Sequence, residues 1–141
     1  MTIEGLSIAA TVVLVLPMLY FSIATLTFFL AKFDDPIVAR MLRGLFNSYF
    51  ILVVLGCAIG TLAFLAAYRP VVALGIGLLG ALAVAARRWF LARIDAQLRA
   101  GEGGDLRAVR RLRRLHLGGM LYNAVQFAAV LVSIPTVLMR L

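Results

Sequence analysis

His116, Met120, Asn123 and Gln126 recur at three- and four-residue steps in a stretch that is otherwise apolar. On a helix that spacing places them on roughly one face. An imidazole, a thioether and two amides in one row could carry a proton, ligate a haem iron or hydrogen-bond a small ligand. Asn47, Ser48 and Tyr49 form a second polar group in another apolar stretch, at a similar depth from its basic end. Polar groups at membrane depth need partners and face the interior of a bundle. The pattern predicts a small polar pocket between the second and fourth helices, lined by Asn47, Ser48, Tyr49, His116, Met120, Asn123 and Gln126. Hydrogen bonding that only sets helix register is the alternative reading of the same residues.

Reactive constellations are sparse. His116 is the only histidine. Met120 points the same way along its helix, so the two cannot ligate opposite faces of one haem. A b-type haem on His116 would need a second ligand from another chain, or an open position; no cofactor is expected. Cys57 is the only cysteine, which rules out a disulfide within the chain. Mid-span it acts as a small hydrophobe. Glu4, Asp34, Asp35, Asp95, Glu102 and Asp105 all lie outside the apolar stretches. Proton- or cation-coupled transporters usually place a carboxylate inside one. No HExxH, Walker loop, GxGxxG or nucleophile–base pair is present. No catalytic or metal-binding residue is assigned, and the reading leans away from an enzyme.

The elements that position these residues are plain. Uncharged stretches run over 6–30, 44–68, 71–86 and 117–139 of the 141 residues. Trp89, Phe90, Leu91 and Ile94 extend the third to about residue 92. A helical crossing needs about 20 apolar residues. Apolar residues make up 64% of the chain and mean hydropathy is +1.05, whereas a soluble domain is about half apolar. Unbroken runs without period-two alternation argue against a barrel. The expectation is an all-α, four-transmembrane-helix bundle forming one domain over residues 1–141. The first run is too long, and its flank too poor in basic residues, for a cleavable signal peptide.

Charge predicts orientation. The net charge is +8 and the pI about 11.1. Twelve of the 14 basic side chains fall in the first and third connections, against Arg69 and Arg140 elsewhere. Basic loops stay cytoplasmic. The expected placement is multi-pass in a bacterial inner membrane, with both termini outside and the arginine-rich hairpin cytoplasmic. Arg87, Arg88, Arg107, Arg110, Arg111, Arg113 and Arg114 are expected to meet anionic lipid headgroups; nucleic acid is not expected.

Local signals set the boundaries. Asp35 and Pro36 start the second helix as cap and first-turn proline, and Arg69–Pro70 end it in a tight turn. Pro17 is expected to kink the first helix. Gly56 and Gly60, with Ala73, Gly77, Ala81 and Ala85, have the small-residue spacing that lets helices approach closely. They predict a tight hairpin of helices two and three. Helices three and four should continue past the membrane to a tip at 101–105. There Asp95 is expected to pair with arginines of the facing arm.

The segment RRLRRLHLGGMLYNAVQFAAVLV (residues 110–132) resembles the last-span signature of a family of small, uncharacterised four-span bacterial membrane proteins: basic residues, Leu-His, two small residues, then Asn. MLRGLFNSYFILVV (residues 41–54) is similar to that family's second span. The family carries a domain-of-unknown-function label, and a related eukaryotic group is linked to metal-drug resistance. The resemblance covers most of the chain. It implies the four-span fold, singles out His116 and Asn123, and implies no defined reaction. Four-span haem-containing protoporphyrinogen oxidases are a weaker comparison, since their early essential histidine is missing here.

Three functions follow as expectations. The first is a non-catalytic accessory subunit or scaffold of a membrane complex, packed against other membrane subunits or copies of itself. The second is a small-molecule carrier or binding protein using the pocket between helices two and four. The third is a haem- or quinone-linked redox protein.

Overall fold

The computed structural model describes residues 3–138, and side chains over 5–135. It is all-helical: α1 (Ile3–Thr27), α2 (Pro36–Ala66), α3 (Pro70–Glu102) and α4 (Arg107–Leu138). Each helix is long and apolar enough to cross a membrane. The protein is thus a multi-pass, four-helix membrane bundle. Met139 and Arg140, the expected end of the last span and one tail charge, lie outside the described residues.

The starts follow the expected chemistry. Asp35 Oδ1 accepts from Ile37 N at 2.8 Å, and Pro36 fills the first helical position. Asp105 Oδ1 accepts from Arg107 N at 2.8 Å ahead of α4. Gly104, at φ +86°, turns the chain between α3 and α4, a conformation that costs glycine nothing. The first helix is shorter than its apolar run, because residues 28–30 leave it in a turn.

The helices form a closed square. α1 packs on α2 and α4, and α3 on α2 and α4; α1 and α3 stay apart, and α2 barely reaches α4. The core is aromatic on the arginine-bearing half, where Phe21, Phe46, Tyr49, Phe50 and Phe90 are buried against one another.

Small residues do bring α2 and α3 together, but not in the expected set. A Cβ on Gly60 would meet Ile76 at 3.3 Å, one on Gly77 would meet Thr61 at 3.6 Å, and Ala73 is buried. Ala81 and Ala85 face outward. The tightest approach is at Gly80, where a Cβ would lie 2.9 Å from Cys57 Cβ. A strict four-residue row drifts around a helix of 3.6 residues per turn, so the contact shifts from Gly77 to Gly80 and Ala83. Gly56 faces α1 instead. Pro17 cannot donate to the carbonyl of Val13, four residues earlier. A Cβ on Gly56 would sit 3.2 Å from that oxygen. The α1 helix itself runs unbroken through Pro17.

The pairing of Asp95 also differs. Its carboxylate takes the guanidinium of Arg43 on α2, with Nη2 to Oδ2 at 3.1 Å, rather than an arginine of α4. The physical reason is that α3 lies along α2 over much of its length. Arg87 donates to Asn47 Oδ1 (2.7 Å) on the same seam.

Candidate functional site

The seven residues expected to line one pocket divide into separate groups. Tyr49 alone bridges α2 to α4, its hydroxyl donating to Gln126 Oε1 at 3.0 Å. Asn123 instead ties α4 to α1: its Nδ2 donates to Ser22 Oγ (2.8 Å) and Met18 O (3.2 Å). Asn47 turns to Arg87 on α3, Ser48 is exposed, and Met120 is half-buried. The reason is angular. Successive helix positions are 100° apart, so residues with helical spacing on both helices still meet different neighbours in a four-cornered bundle.

His116 is buried in an aromatic box. The rings of Phe28, Phe29 and Phe33 lie 5.8–5.9 Å from its imidazole. Its Nε2 is buried with no hydrogen-bond partner among the described residues. Arg113 closes the box from outside, its guanidinium 5.6 Å from the Phe33 ring. A haem iron could reach this nitrogen only if those rings moved, so the residues present do not fit a porphyrin.

A large cleft opens elsewhere, between α3 and α4. It holds about 960 Å³ and is walled by apolar side chains such as Leu78, Leu82, Leu121 and Val125, with Trp89 at its arginine-bearing end. It shares Gly75, Leu79 and Ala129 with a second apolar cavity of about 320 Å³. That cavity lies in the bundle interior toward the opposite end, bounded by Leu14, Phe64 and Ile134. The two are neighbours across these three shared residues. Sites of this size and character hold lipophilic ligands.

The polar part of the cleft wall is Tyr122 and Gln126. Gln126 Nε2 donates to Tyr122 Oη at 2.9 Å, and Gln126 in turn accepts from Tyr49. Two phenols and one amide carry four donor hydrogens between them. Two of these make the internal bonds, and two remain without an acceptor among the described residues. With the amide as placed, these two are the Tyr122 hydroxyl hydrogen and the second Gln126 N–H. Unused donors in an apolar wall cost more than unused acceptors. The arrangement therefore suits a ligand oxygen that accepts, such as an ester or ketone carbonyl.

Outside the apolar stretches, the Arg43 guanidinium holds the Asp95 carboxyl below the usual carboxylate range, mainly through their hydrogen bonds. Tyr122 was visible in sequence, four residues before Gln126, but the α3 wall was not, since ordinary Leu and Ala residues build it. Among the described residues no three His, Cys, Asp or Glu side chains group as metal ligands.

No protein-family model, curated protein or solved structure matches this chain. The resemblance described above therefore rests on the two quoted segments.

Proposed function

We propose that this protein is a non-catalytic binding protein of the membrane, holding one lipophilic molecule in the cleft between α3 and α4. The observation that carries this reading is the pair of unused donors on Tyr122 and Gln126 in an otherwise apolar cleft. The ligand's chain occupies the apolar walls and its carbonyl oxygen accepts from the two side chains. Charge supports a bacterial inner membrane with the arginine-bearing end cytoplasmic.

A second reading, an accessory subunit of a larger complex, is favoured by a different observation. Ala81 and Ala85 are exposed on α3 at four-residue spacing, with Ala85 at the edge of the cleft wall, the arrangement that lets another transmembrane helix approach.

Native mass spectrometry of protein extracted gently from its own membrane tests both. The binding reading expects one retained lipophilic mass per chain, absent from the Ala86→Phe variant, which fills the cleft. A wild-type chain that carries no such mass overturns it. Co-purified polypeptides would establish the second reading.

A further inference from the structure

The cleft does not end in neutral surface. Its lining on α3 steps through Leu82, Ala86 and Trp89, and four residues beyond Trp89 stands Arg93. Its lining on α4 steps back through Val125, Leu121 and Gly118, and four residues before Gly118 stands Arg114. Four-residue steps keep a helix face. Each wall of the cleft therefore continues into an arginine, past Trp89 on α3 and past Gly118 on α4. The guanidinium of Arg93 is placed over the Trp89 ring, 5.2 Å from its centre.

Neither of these two charges has a carboxylate counter-ion among the described residues. Three carboxylates lie on the α3–α4 hairpin, and each is engaged elsewhere: Asp95 by Arg43, Glu102 by Arg40 and Asp105 by Arg111. Arg114 makes no hydrogen bond or ion pair among the described residues. The outer apolar half of the cleft (Gly75, Leu78, Leu79, Ala129), then the donors of Gln126 and Tyr122, then its arginine-side wall (Ala86, Trp89, Gly118) and the two cations form an ordered series. Read along the helix axes, it matches acyl chain, ester carbonyl and phosphate. Helical side chains lean toward their own N-terminus. That brings Arg93 toward the cleft and Tyr122 toward the arginine end, which shortens the span between these two, while Arg114 leans toward the hairpin tip and reaches the headgroup from its far side.

Resting on the binding function proposed above, we infer that the occupant is an anionic glycerophospholipid. One acyl chain lies in the α3–α4 cleft, an ester carbonyl accepts from Tyr122 and Gln126, and the headgroup phosphate sits between Arg93 and Arg114. Neutral lipids of the same chain length lack the net negative charge that this end selects.

The test uses the full chain, delipidated in detergent and titrated with dioleoyl phosphatidylglycerol or dioleoyl phosphatidylcholine, with bound lipid counted by native mass spectrometry. The wild type is expected to take one phosphatidylglycerol, with about tenfold preference over phosphatidylcholine. Arg93→Gln with Arg114→Gln should bring the two lipids near parity while chain binding persists. Tyr122→Phe should weaken both lipids alike, and Ala86→Phe should exclude both. Each variant is first checked for unchanged helicity by circular dichroism, and Arg93→Lys with Arg114→Lys should retain the preference. Equal binding of the two lipids by the wild type, or an unchanged preference in the double Gln variant, overturns the headgroup inference and leaves the cleft reading standing. Failure of the wild type to bind either lipid overturns both.

Discussion

The ring of Phe46 on α2 lies directly against the backbone of Gly119 on α4, in the space that any Cβ at position 119 would need. This is one of the places where the two diagonal helices meet across the square, with Tyr49–Gln126 another. Phe46 is fully buried, with Phe21 and Phe90 each 5.3 Å from it between ring centres, so it has no free direction in which to yield. Gly119→Ala is predicted to destabilise the bundle by on the order of 1–3 kcal/mol, as overpacking does. Phe46→Leu in the same chain should recover part of the loss. Thermal unfolding in detergent, followed by circular dichroism, checks this; additive effects of the two substitutions would refute the contact.

Asn123 is predicted to be a structural tie rather than a ligand contact. Its amide holds α4 to α1 beside the Pro17 turn, away from the cleft. Asn123→Ala should lower stability by roughly 0.5–2 kcal/mol, the range seen for hydrogen bonds between membrane helices. Lipid occupancy should be unchanged once the protein is folded. Loss of bound lipid from a stably folded Asn123→Ala protein would move this residue into the site.

His116 should be replaceable. Its Nε2 is buried among phenylalanine rings without a partner, and a buried polar atom in that state costs free energy. His116→Phe is expected to leave stability equal or raised, with lipid occupancy intact. Purified wild-type protein should show no Soret band. A His116→Phe protein that folds but no longer retains its ligand would return the imidazole to the functional site.

The Arg43–Asp95 clasp predicts a pH dependence with a definite sign. The folded-state carboxyl of Asp95 titrates lower than in the unfolded chain. Its stabilising contribution is therefore complete at neutral pH, and persists above the unfolded value of about 3.9. It is lost as the pH falls through the lowered folded value. Both side chains are partly solvated, so the contribution is held to under about 1 kcal/mol. Asp95→Asn should lower the melting temperature slightly at pH 7, and the gap should close as the pH falls below about 4. A gap that widens on acidification would contradict the assignment.

Much of the architecture was legible in the chain because it follows from local, additive properties. Four uncharged runs announce four helices. Asp35–Pro36 and Asp105 place two of the helix starts, and the glycines at 101–104 place a turn. The need of every buried backbone group for an internal partner leaves helices as the solution for such runs. Even the polar residues were found: Tyr49, Asn123 and Gln126 are all buried.

What the sequence could not decide was which of these residues meet. A helical period puts residues on a common stripe but does not say which of two adjoining helices that stripe will face. The rotation of each helix is set by packing summed over all four. In this bundle Gly56 turns to α1 while Gly60 turns to α3, and Asn123 and Gln126, three residues apart, serve different neighbours. The cleft is the extreme case. Its walls are leucines, valines and alanines that look like any lipid-facing surface, and only the space left between α3 and α4 makes them a site. The sequence by itself determined the helices, their ends and the unequal distribution of charge. The tertiary structure alone decided the partners, because partner choice depends on helix rotation and crossing, which no local pattern encodes.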